Sequence, residues 1–180
     1  MSGMKEEDFR KEAIKIAAYL MAVSARTAPK GKGEDYLEIL FVDGDEKERI
    51  AQKMEELAGS RGQNFIRDAN GVRKAEGVLL IGVDGGEPLM LNCGACGFTC
   101  KEMPSARKEG RDFVGPNCVF RVLDMGIAIG SAVKLGSIFG VDSRVMYRIG
   151  VAARMLGIAK ADVVMGIPLA SLGKNPFFDR

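Results

Sequence analysis

Histidine is missing from this 180-residue chain. Its absence removes the commonest general base and the usual nitrogen ligand of zinc, so a Ser/His/Asp or Cys/His hydrolase is excluded. There is little charge of either sign in excess: 26 Lys and Arg against 24 Asp and Glu leave a formal net charge of +2. Acids and bases are interspersed, so neither nucleic acid nor a membrane surface is expected as a partner. No Gly-x-Gly-x-x-Gly run is present. Gly166 and the Gly173-Lys174 pair stand too far apart for a Walker-type phosphate loop. Long apolar runs are also lacking, since the most apolar region, Val119 to Phe139, is broken by Arg121, Asp124 and Lys134 and fails the test for a membrane span. The N-terminal stretch MSGMKEEDFRKEAIKIAAYLM distributes its charges throughout and shows neither the apolar core nor the cleavage site of a leader. A cytoplasmic protein is expected.

What is there accounts for one domain. Apolar residues make up 47% of the chain, enough for a substantial core. Phe9, Ala13, Ile16, Ala17, Leu20 and Val23 recur at helical spacing and predict an amphipathic helix over about residues 5 to 24, ended by the Pro and Gly of Pro29-Lys30-Gly31-Lys32-Gly33. Tyr36 to Val42 reads as a short buried strand. Asp45 and Glu48 form a capping-box pattern ahead of a helix whose buried stripe is Ile50, Met54, Leu57 and Ala58. A further helix is expected from Asn64 to Lys74, a central strand over Gly77 to Val83 and another strand over Glu87 to Leu91. The long apolar segment Val119 to Phe139 predicts a helix, with Gly126, Gly130 and Gly136 each costing it about 1 kcal/mol relative to Ala. Asp142 is the expected N-cap of a helix over Arg144 to Leu156, and Asp162 to Ile167 the last strand. No internal repeat is found. Irregular alternation of this kind favours an α+β or mixed α/β sandwich over a parallel doubly wound fold.

A Gly-, Pro- and charge-rich segment over about residues 92–118 interrupts the pattern and carries all four cysteines, in the order Cys93-x2-Cys96-x3-Cys100-x17-Cys118. In a reducing compartment such clustering points to metal or redox chemistry before structural disulfides. Four thiolates complete either a cubane iron–sulfur (4Fe-4S) cluster or one tetrahedral zinc. Three near cysteines plus one remote one suit a single cluster. Zinc lacks its second Cys-x2-Cys pair and any His, and a simple Cys93/Cys96 dithiol is the remaining reading. Gly94 and Gly97 leave room for backbone to wrap a centre, and Pro116 stiffens the approach to Cys118.

Basic residues collect near both ends of the chain. Arg26, Lys30 and Lys32 follow the first helix, and Lys174 and Arg180 sit in the tail. Guanidinium and ammonium groups in loops suit an anionic phosphate, and Arg26 and Arg180 are expected to meet in one anion site. Cations after a helix C-terminus also serve simply to offset its dipole.

The stretch ARTAPKGKG, the four-cysteine segment, GVDSRVMYRIGVAA and the ending MGIPLASLGKNPFFDR together resemble, over nearly the whole chain, a prokaryotic family of uncharacterised ferredoxin domain-containing proteins. That resemblance implies an iron–sulfur centre on Cys93, Cys96, Cys100 and Cys118. A more distant similarity is to the flavin-dependent nitroreductases, which bind flavin mononucleotide (FMN) through an Arg-rich motif after the first helix and a basic residue near the end. Arg26 and Thr27 match the first element, with the family's run of arginines reduced to Arg26; Lys30, Lys174 and Arg180 complete the candidate set. This implies an α+β fold with a nitroreductase-like mixed sheet and flanking helices, and a homodimer using the Val119–Phe139 helix. It also implies an electron-transfer role with an unknown redox partner, as an FMN-dependent oxidoreductase of unknown substrate. The alternative is a non-catalytic module in which zinc or a cluster only staples the cysteine segment.

Overall fold

The computed structural model describes residues 3–178. Its centre is a four-stranded sheet in the order β1-β2-β6-β5. β1 (Leu37–Val42) and β6 (Val163–Ala170) flank β2 (Gly77–Val83), and the two-residue β5 (Asp142–Ser143) pairs with the far end of β6. Every pairing is antiparallel, so the expected mixed sheet is corrected to a purely antiparallel one. Period-two alternation sorts the strand residues between two helical layers. Leu79, Ile81, Ile167 and Leu169 face α1 (Glu6–Thr27) and α4 (Val119–Ile138). Val78, Leu80, Val164 and Ala170 face α2 (Gly44–Arg61), α3 (Asn64–Lys74) and α5 (Tyr147–Met155). Both faces of β2 are buried, which is why its sequence reads as an unbroken apolar run.

Two close approaches fix the layer of α5. A Cβ at Gly150 would run into the carbonyl oxygen of Val164, so backbone meets backbone there, and one at Gly166 would run into the side chain of Ile149, which seats against the strand. No helix among the described residues is long and apolar enough to cross a membrane.

Four local expectations are corrected. Glu87 to Leu91 is not a strand; Pro88 and a left-handed Met90 (φ 57°) bend it into the loop that follows β2. Asp142 caps no helix, because its backbone pairs with Ala170 as β5, and α5 starts only at Tyr147. α2 begins at Gly44 after Asp43, and no capping box forms from Asp45 and Glu48. α1 turns Ile14, Ala17, Ala18, Met21 and Ala25 inward, leaving Phe9, Ile16, Leu20 and Val23 of the anticipated stripe exposed. Leu123 and Ile127 on α4 are exposed as well.

Candidate functional site

Residues 84–118 join β2 to α4 almost without regular structure; they hold one short 3-10 turn (Met103–Ala106) and a small hairpin of β3 (Lys108–Glu109) and β4 (Val114–Gly115). Both ends of this segment are fastened to the sheet. The Cys118 amide donates to the Gly85 carbonyl at 2.8 Å, and the Gly85 amide donates to Asp162 Oδ2 at 2.8 Å. Arg107 pairs with the same Asp162 carboxylate and donates through Nε to the Pro116 carbonyl at 3.3 Å. Gly86 packs so tightly on the Arg107 guanidinium that a side chain there would displace it.

The four cysteines are free thiols, with Cys93 exposed, Cys96 and Cys100 half-buried and Cys118 buried at the start of α4. Cys118 shares a small apolar cluster with Leu89 and Met103, and Cys96 and Phe120 pack against it. Asn92 holds Cys100 from both sides: its amide donates to Cys100 Sγ at 3.1 Å, and its Oδ1 accepts the Cys100 amide at 3.2 Å. Gly94 (φ 71°) and Gly97 (φ 84°) take left-handed conformations that a side chain would disfavour. Among the described residues no three Cys, Asp or Glu side chains already converge as metal ligands. The donor set nonetheless fits a thiolate-ligated centre in chemistry and in chain placement: four reduced thiols, one glycine-rich turn, and an amide aimed at sulfur.

Next to this loop lies a buried charge cluster. Arg121, one turn into α4, is 1% exposed. It pairs with Glu34, donates through Nε to the Glu87 carbonyl at 3.0 Å, and lies 4.1 Å from the centre of the Tyr36 ring. Asp124, one turn on, accepts the Gly31 amide at 2.9 Å through Oδ1, while its Oδ2 is buried without a hydrogen bond, 3.8 Å from Arg121 Nη1. Gly31 also packs on Leu89. The loop after α1, the segment after β2 and the head of α4 are thereby tied together. Tyr36 also lines a cavity of about 310 Å³, together with Asp84, Glu87, Arg107 and Asp162. Burial raises the Asp84 carboxyl above the ordinary aspartate range, and the nearby Asp162 charge adds to the effect.

The residues anticipated for a phosphate fare differently. Arg26 is engaged by Asp35 Oδ2 at 2.7 Å and the Leu37 carbonyl at 3.0 Å. Thr27 donates back to the Val23 carbonyl. Lys30 folds over the end of α1, its Nζ on the carbonyls of Arg26 and Ala28 at 2.5 and 2.8 Å. Thr27 and Lys30 thus serve the C-terminus of α1, while Arg26 ties that end of the helix to Asp35 and the start of β1. Lys174 lies at the opposite end of the sheet, beside Lys74 and Asn175. Arg26 sits level with Leu37, which the register aligns with Val83 and Val163, whereas Lys174 follows Ala170. Seven residues of strand, roughly 23 Å, separate these levels within one protomer. Arg180 is outside the described residues.

Sequence reasoning passed over Arg121, Asp124 and Glu34, treating the first two only as breaks in an apolar run. The signal was their spacing: an Arg and an Asp at i and i+3 on the same face as Met125 and Ala128.

Residues 114–180 match a family described as "uncharacterized protein containing a ferredoxin domain" (DUF2148), a range that takes in Cys118 and stops short of the other three cysteines. Across 178 residues the chain is 57% identical to an uncharacterized protein of Archaeoglobus fulgidus, covering 98% of this chain and 97% of that one. In fold it is similar to a nitroreductase with bound FMN from Desulfitobacterium hafniense, with a TM-score of 0.57 and 14% identity, covering 97% of this chain and 82% of that one. A putative nitroreductase in complex with FMN from Desulfovibrio desulfuricans aligns with a TM-score of 0.55 and 14% identity over 99% and 81% of the two chains. At such identities the likeness is one of fold.

Proposed function

The chain belongs to the family of uncharacterized proteins containing a ferredoxin domain, and we propose that it is a redox protein whose Cys93, Cys96, Cys100 and Cys118 hold one cubane iron–sulfur cluster. The observation that carries the reading is the pairing of Asn92 with Cys100, an N–H aimed at a sulfur beside a turn held open by Gly94 and Gly97. Hydrogen bonds from amides to thiolate sulfur stabilise the anionic ligand and raise the potential of the centre it serves. A bound cluster supplies one-electron transfer. The residues do the rest: Leu89, Met103 and Phe120 exclude water from the Cys96–Cys118 side, and Gly85, Arg107 and Asp162 hold the two limbs of the loop in place. A cluster held by four thiolates suits a reducing compartment, so the proposal includes a cytoplasmic location.

FMN is the second group in the proposal, since the fold is that of proteins solved with it. Arg26, Thr27, Lys30, Lys174 and Arg180 are the residues that would meet its phosphate. Arg26 and Lys174 lie at opposite ends of the sheet in one protomer. A site using both therefore draws them from two protomers, with the exposed apolar faces of α1 and α4 as the contact.

Anaerobic purification, with iron, sulfide, zinc and flavin assayed on the same sample, tests the reading. Iron and sulfide in equal amounts, lost in Cys100→Ser, are expected. Zinc without iron would replace the redox reading with a structural staple, and iron without flavin would confine it to electron transfer.

A further inference from the structure

A third cluster of charge lies on the other face of the sheet, where the ends of α2, α3 and α5 meet the β3–β4 hairpin. A cavity of about 200 Å³ opens there, lined by Arg61, Phe65, Arg111, Asp112, Tyr147 and Arg148. We infer that this cavity binds the phosphate group of a small phosphorylated ligand.

The charge count is the first argument. Arg61 pairs with Asp112, the one carboxylate in the lining. Arg148 donates to Asp68 at 2.7 Å, but Asp68 also takes Arg67 at 2.8 Å. Arg111 makes no side-chain hydrogen bond or ion pair among the described residues, and only its carbonyl is used, by Arg61 Nη2 at 3.1 Å. Four guanidiniums thus meet two carboxylates. Packing like charges together is unfavourable unless an anion joins them, and planar guanidiniums are the groups best suited to phosphate oxygens.

Asp112 shows what the cavity grips. Its carboxylate is held by the Arg61 guanidinium on one oxygen and by the Tyr147 hydroxyl on the other. These are the donor types a phosphate oxygen takes, already aimed inward. Asp112 stands in the hairpin between β3 and β4, closed by the Gly110 amide on the Phe113 carbonyl at 2.9 Å, and it competes with any anion that enters. α5 adds to the field. Tyr147 and Arg148, which line the cavity, are its first residues, and Met146 before them offers no side-chain cap, so the positive end of the helix lies at the cavity wall.

Size narrows the ligand. A space of about 200 Å³ is smaller than the ~300–1,000 Å³ typical of drug-sized ligands. It suits a phosphate or diphosphate with a short organic part, seated against the Phe65 and Tyr147 rings, and not a whole dinucleotide.

Titration of the purified protein with inorganic pyrophosphate at low ionic strength, followed by calorimetry and by amide shifts of Tyr147 and Arg148, tests this. Saturable binding is expected. Arg111→Glu, at a position free of side-chain partners, should weaken it by at least about tenfold. Asp112→Asn, which removes the internal competitor, should tighten it. No saturable binding into the millimolar range, unchanged affinity in Arg111→Glu, or weaker binding in a folded Asp112→Asn variant would each overturn the assignment.

Discussion

Arg121 is buried completely, while Glu34, its ion-pair partner 87 residues away in sequence, keeps nearly half of its side chain in water. The pair is therefore asymmetric. Replacing Arg121 with Met strands Asp124, whose Oδ2 has no hydrogen bond and whose nearest cation is Arg121. Breaking a buried pair in this way costs about 3–5 kcal/mol. Glu34→Gln leaves Arg121 with the carbonyls of Glu87, Gly31 and Glu34 and should cost at most about 1 kcal/mol. Urea unfolding of the two variants measures the ratio.

Two glycines in helices predict opposite signs. Gly59 in α2 has nothing within 4 Å of an added Cβ, so Gly59→Ala should stabilise by up to about 1 kcal/mol. At Gly150 the same methyl meets the backbone of Val164, and overpacking of that kind costs about 1–3 kcal/mol or more. Thermal unfolding of both variants under one set of conditions should move the midpoint up in the first and down in the second.

Asp84 carries a pH signature. Burial and the Asp162 charge raise its folded carboxyl above the value it has unfolded. The folded state thus binds that proton more tightly than the unfolded chain. Its contribution is fully present below the unfolded value, about pH 3.9, and is lost as pH rises through the folded one. Asp84→Asn should accordingly stabilise the protein near neutral pH. The gain should shrink as pH falls towards the ordinary aspartate range. Chemical denaturation at several pH values gives the slope, and a gain that grew on acidification would contradict the argument.

The exposed apolar side chains of α1 and α4 predict a homodimer. Ile16, Leu20, Leu123 and Ile127 are each at least 42% exposed. Light scattering should give twice the 19.4 kDa chain mass, and Ile127→Glu should shift the population to monomer with its far-ultraviolet spectrum unchanged. A monomer across a wide concentration range would count against the interface.

Most of the frame was readable because its signals are local. The expected helix over Asn64 to Lys74 and the central strand expected from the unbroken apolar run Gly77 to Val83 are α3 and β2 at the limits the structure shows. The misreadings arose where tertiary contacts override local signals. Asp142 has the chemistry of a cap, but its backbone pairs with β6. β6 runs through Pro168 to Ala170, past the proline that ordinarily ends a strand. The inward face of α1 could not be chosen from sequence, since alanines at 17, 18 and 25 pack against α4 while larger apolar residues stay outside. Of the candidate site, the clustering of the four cysteines was visible from spacing alone. The Arg121–Glu34 tie and the Arg61/Arg111/Arg148 cavity were not, because each joins segments far apart in the chain.

The strand order has a consequence for how the protein is made. β2 sits between β1, which precedes it, and β6, the last strand among the described residues. During synthesis β1 and β2 can pair while still near the ribosome, but the second edge of β2, a seven-residue apolar strand, stays unpaired until β6 has emerged. An unpaired apolar edge invites association with other nascent chains. Fragments ending before Val163 should therefore accumulate in insoluble form, and the cysteine loop, fastened to Asp162 only at that late stage, is completed together with the sheet.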